Sequence, residues 1–103
     1  MEVGASPTLK ATALSTLGHM AHRRAAKDTA KMAEAVAYFE RSIAADPTFV
    51  DAQYNFGVLL EELGRFSEAA ARYEAVLSMK PTHRLATLNL ANTHFHRGDL
   101  LGA

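Results

Sequence analysis

Apolar side chains recur along this chain at three- and four-residue intervals. Phe56, Leu59, Leu60 and Leu63 form one run, and Tyr73, Val76 and Leu77 another. That spacing puts each set on one side of an α-helix. No stretch reads convincingly as a strand, so the pattern predicts an all-α chain. Prolines punctuate it. Pro47 and Pro81 each end a helix, because the residue before a proline disfavours helical backbone. Ser6-Pro7 reads as the cap and first residue of an opening helix.

Pro47 and Pro81 stand 34 residues apart. At that same offset Glu34 falls on Glu68, Ala35 on Ala69, Phe39 on Tyr73, Glu40 on Glu74 and Ile43 on Leu77. Further along, Ala52 falls on Ala86, Asn55 on Asn89, Gly57 on Ala91, Gly64 on Gly98 and Phe66 on Leu100. Coincidence at one period marks an internal repeat. One unit is legible in 50–81. "VDAQYNFGVLLEEL" is a first helix in which small Ala52 and Gly57 let a neighbour approach. Gly64-Arg65 turns the chain. "FSEAAARYEAVLSMK" is a second, antiparallel helix, with Ala69 at the close contact. A hairpin this short cannot bury its own apolar face and needs neighbours.

Asn55, Phe56, Gly57, Gly64, Phe66, Ala69, Tyr73, Leu77 and Pro81, at this period, resemble the tetratricopeptide repeat family. The resemblance implies a right-handed superhelix of antiparallel helical hairpins, here about two and a half repeats from five helices. Repeat one is expected over about 8–49, repeat two over 50–83 and a half repeat over 84–103. The first copy departs from the period. Leu17-Gly18 matches Phe56-Gly57 at an offset of 39, so extra residues fall near 24–31, in "RRAAKDTAK". They read as an inserted turn or a prolonged first helix, with Asp28 or Thr29 capping the second. A strict 34-residue offset would instead put His22 and Arg23 where a core wants Leu and Gly. The stretch "LNLANTHFHRGDL" opens a third copy that the sequence does not complete.

Bulk properties narrow the function. The 103 residues suit one small domain, and 49% apolar content can fill a core. Eleven basic and eleven acidic residues balance, which argues against a nucleic-acid binder. Without cysteine there is no disulfide framework and no thiolate zinc site. No signal peptide and no apolar run of roughly 20 residues is present, so no membrane role is expected and a cytoplasmic location is the default. Isolated glycines form no phosphate loop. Ser15 and His19 lack an orienting acid and an oxyanion loop, so no enzyme is expected. Five histidines are many, but His19 and His22 supply only two ligands of a tetrahedral set, so neither metal nor other cofactor is expected.

In the family, first helices line a concave groove. By helical spacing that face carries Thr12, Ser15, Thr16 and His19 in the first unit, Tyr54, Asn55, Val58 and Glu62 in the second, and Leu88, Asn89, Asn92 and His96 in the third. Of these, Thr16, His19, Tyr54, Asn55, Val58, Glu62, Asn89, Asn92 and His96 are the expected peptide- or partner-binding residues. Asparagines at the place of Asn55 and Asn89 often contact bound peptides in the family, since an amide donates and accepts at once. The alternative is that they only tie neighbouring helices together. A chaperone-tail carboxylate clamp would need basic residues where Leu85 and Asn89 stand. The function expected is therefore a non-catalytic interaction module, an adaptor or scaffold for a peptide or partner protein. The alternative is a repeat segment of a larger protein, such as the substrate-selecting array of a glycosyltransferase of the O-GlcNAc transferase type, or a transport assembly. Leu85, Leu88, Leu90, Phe95, Leu100 and Leu101 cannot all face the preceding repeat, and Leu90, Leu100 and Leu101 stand out among them. They are the candidates for self-association in a homodimer, unless further repeats cover them.

Overall fold

The computed structural model describes residues 6–97. Among them lie five helices and no strand: α1 (Pro7–Ala25), α2 (Thr29–Ala45), α3 (Val50–Glu62), α4 (Phe66–Met79) and α5 (Arg84–Arg97). The chain is all-α, as the apolar spacing predicts. The helices gather into two compact units that part after Ala52, in the first turn of α3. Gly98, Leu100 and Leu101 lie outside the described residues.

The first unit is a helical hairpin. Ser6 caps α1, its hydroxyl accepting from the Leu9 N–H at 3.1 Å, and Pro7 follows in the first turn. The helix ends at Ala25, two residues past the place that matches the end of α3, and α2 starts at Thr29, three residues before the place that matches the start of α4, so the extra residues of this copy lengthen both helices and not the turn. Ala26 ends it with a positive φ of 52°. Asp28 then caps α2 by accepting from Ala30 and Lys31 N–H at 3.0 and 3.2 Å. Ala11, Leu14, Ala21 and Ala25 of α1 and Met32, Ala35 and Phe39 of α2 are buried. Gly18 sits under the Phe39 ring, where an added Cβ would come to 3.1 Å. The buried Ser42 hydroxyl donates to the Ala11 carbonyl at 2.7 Å, tying α2 to α1. At the end of α2, Asp46 accepts from the Thr48 hydroxyl and N–H and from the Thr8 hydroxyl. The Thr48 and Thr8 hydroxyls hold its carboxyl below the usual range.

The second unit repeats the theme. Gly64, at φ 77°, closes α3: its N–H donates to the Glu61 carbonyl and the Arg65 N–H donates to the Leu60 carbonyl. This pair of bonds satisfies carbonyls that the helix end leaves open, and it needs a residue content with left-handed backbone. Arg65 then grips Glu68 with two hydrogen bonds of 2.8 and 2.6 Å across the first turn of α4. That grip holds the Glu68 carboxyl below its ordinary range. The core is Phe56, Leu59, Leu60, Ala69, Tyr73, Val76 and Ala86, with Thr93 buried beside them and its hydroxyl donating to the Asn89 carbonyl. Gly57 stands to Tyr73 as Gly18 stands to Phe39, but closer: an added Cβ would meet the ring at 2.7 Å. The last helix begins at Arg84, three residues past Pro81. The reason is His83. Its Nδ1 accepts from the Ala86 N–H at 3.0 Å, so the imidazole caps α5 in the role that Ser, Thr or Asp usually fills.

Candidate functional site

Tyr54 on α3 organises the second unit's polar residues. Its ring lies between Tyr73 on α4, at 5.9 Å between centroids, and His83 before α5, at 5.1 Å. Its hydroxyl accepts from Asn89 Nδ2 at 2.9 Å, so an amide on α5 is fixed to α3. Behind it Tyr73 is fully buried, and its phenol donates to Glu61 at 2.8 Å. Burial, and then the Glu61 carboxylate, push the Tyr73 phenol well above its ordinary range. A further tie runs from Arg72 on α4 to Gln53 on α3, at 2.8 Å. Each of these bonds joins one helix of the unit to another, so the side chains that support α3 and α5 are held before any ligand arrives.

Against this frame the two equivalent asparagines differ. Asn89 already uses one amide hydrogen on Tyr54. Asn55 is half-buried, and none of its side-chain hydrogen-bonding capacity is used among the described residues. It can donate and accept toward a ligand backbone without breaking a bond first. Val58 is half-buried, Glu62 and Asn92 are exposed, and Tyr54 shows part of its ring. On α5, Leu85, Leu88 and Phe95 are all more than half exposed. His96 is exposed too, but its ring stacks on Phe66 of α4 at 5.2 Å and 17°. It is thus engaged with α4. Leu90 is half-buried. Pro81, Thr82, Arg84, Thr87, Leu88 and Ala91 border an open depression of about 650 Å³ beside the start of α5.

In the first unit Thr16 and His19 are exposed on α1, and Thr12 and Thr16 donate to the carbonyls four residues earlier. Ser15 is buried, so it does not join the exposed row where the spacing puts it. The displacement has a simple cause. Ser15 borders the buried α1 face of Ala11, Leu14 and Gly18, and helical spacing alone does not fix how far burial extends around the helix. Nothing in the sequence marks His83 as cap and ring partner, because it lies outside the apolar period and follows Pro81-Thr82. Among the described residues no three histidines or acids gather to hold a metal ion, and no helix is long and apolar enough to cross a membrane.

Comparison with known families agrees with the internal period. Two models of the tetratricopeptide repeat match, one over residues 26–77 and one over 54–103. Comparison with curated proteins gives no match.

Proposed function

The chain belongs to the tetratricopeptide repeat family, whose repeats are generally protein-interaction modules, and from that premise we propose that it is a non-catalytic adaptor for an extended peptide segment of a partner protein. The observation that carries the reading is the contrast between Asn55 and its surroundings. The neighbouring polar side chains are tied into the unit, while the Asn55 amide is uncommitted and partly exposed. Tyr54, Val58 and Asn92 supply the adjoining surface, with Leu88 and Phe95 as apolar contacts. A peptide backbone bonded to an amide is held by main-chain groups common to every sequence, so specificity would come from its side chains on Leu88 and Phe95.

The test is a selection of random linear peptides on the immobilised chain, followed by calorimetry. Asn55→Ala should weaken a selected peptide by about 1–3 kcal/mol, because it leaves ligand backbone groups unpaired. The helical signal should be unchanged. A selection that enriches nothing, or peptides that bind Asn55→Ala as tightly as the parent, would reject the site.

A further inference from the structure

The far side of α1 carries an apolar seam. Leu9, Leu17 and Met20 are 60%, 43% and 47% exposed. Leu9, Ala13, Thr16 and Met20 follow one another at intervals of four, three and four residues, and all are exposed. That alternation is the spacing by which one helix presents a seam to another. Over these residues the seam is about 17 Å long at 1.5 Å per residue, three turns of helix. The face of α1 that packs in the first unit is a different one, built on Ala11, Leu14, Gly18, Ala21 and Ala25.

Charge selects the occupant. From Pro7 to Ala25, α1 contains no acidic residue. Lys10 and Arg24 stand two heptads apart on the position next to the seam, with Leu17 between them in the same column, and Arg23 continues the seam itself. All three are exposed, and among the described residues none of them is held in an ion pair. Flanking charges of this kind choose the partner helix and its orientation. A second copy is a poor match. Two α1 helices laid antiparallel would set Lys10 and Arg24 against each other. The other exposed apolar helix, α5, also lacks acids and would bring Arg84 and Arg97.

We propose that the outer face of α1 docks an amphipathic helix of a partner protein, one with apolar seam residues flanked by glutamate or aspartate. Leu9, Leu17 and Met20 meet the partner's apolar residues, while Lys10 and Arg24 meet its carboxylates. Leu9, Lys10, Leu17, Met20 and Arg24 are not among the residues of the Asn55 site.

The probe is a synthetic, end-capped helical peptide with a leucine seam flanked by glutamates. Its control has lysines in their place. Titrated into the isotope-labelled full chain, the acidic peptide should shift amide signals from Leu9 to Arg24 and bind roughly tenfold or more tighter than the basic one, as interhelical charge pairing predicts. The Lys10→Glu/Arg24→Glu double variant should reverse that order. Met20→Glu should remove binding of the acidic peptide with helix content unchanged, and Asn55→Ala should leave it intact. The proposal is overturned if the acidic peptide does not bind, if both peptides bind equally, or if Met20→Glu has no effect. It is also overturned if the seam proves to join two copies, seen as a dimer that Met20→Glu dissociates. Association of α1 with phosphatidylserine vesicles in place of the peptide would overturn it too.

Discussion

Adding one methyl group at Gly57 should cost the chain more stability than the same addition at Gly18. A Cβ there would lie 2.7 Å from Tyr73 Cε1 and 3.0 Å from two further ring atoms. Ordinary contact begins at about 3.4 Å, so the ring must move by several tenths of an ångström or the helices must part. The ring is poorly placed to yield. It is fully buried, packs against Tyr54, and its hydroxyl is bonded to Glu61. Overpacking of a filled core costs about 1–3 kcal/mol. Alanine's better helix propensity returns about 0.8–1 kcal/mol. With so close an approach to a pinned ring the clash falls in the upper part of that range, so the net expectation for Gly57→Ala is a loss of about 1–2 kcal/mol, read as a fall in melting temperature of roughly 5–15 °C for a chain of this size. Gly18 is the internal control. Its added Cβ would reach Phe39 at 3.1 Å, a milder approach to a ring with no hydroxyl to anchor it. Gly18→Ala should therefore lie near zero, since the propensity gain offsets the smaller clash. Urea unfolding followed by circular dichroism would measure both. A Gly57→Ala chain as stable as the parent, or a Gly18→Ala chain that loses more, would refute the packing argument.

Ala26→Gly should stabilise the chain by about 0.5–1 kcal/mol, because a side chain at φ 52° strains the backbone by more than glycine's extra unfolded-state freedom costs; a melting curve checks the sign. Asp46 is depressed below its ordinary 3.8, so the stability it lends is present above that pH and is lost as the pH falls below it. Unfolding midpoints between pH 2 and 5 should thus fall less steeply in Asp46→Asn than in the parent. Asn89→Ala should lower stability by about 1 kcal/mol by removing the bond to Tyr54, whereas Asn55→Ala should change it by less than about 0.5 kcal/mol; paired urea titrations separate the two.

Much of this fold is legible in the chain because its repeats reuse one set of packing solutions. Gly57 and Ala69 as the small residues of close helix contacts are legible in the repeat, whereas the Tyr73 ring over Gly57 is seen only in the structure. The Gly64 turn is legible too, since a left-handed residue is needed where α3 stops. The longer helices of the first copy are readable only as surplus residues, because the chain could equally spend them on a turn. The site is less legible. Spacing places Asn55 and Asn89 alike, yet one is uncommitted and the other bonded to Tyr54. That difference depends on which neighbour has a hydroxyl within reach, a three-dimensional fact with no period. Ser15 and His96 illustrate the same limit. Helical spacing gives their direction, but burial of Ser15 and the stack of His96 on Phe66 depend on what comes close to each helix in space.

The most direct test of a peptide-binding adaptor is a map of where a selected peptide touches the chain. Amide chemical-shift changes on saturating the labelled chain with such a peptide should be largest at Tyr54, Asn55 and Val58 of α3 and Leu88 and Asn92 of α5. They should collapse in Asn55→Ala. Shifts confined to α2 and α4, or a map unchanged by Asn55→Ala, would contradict the account.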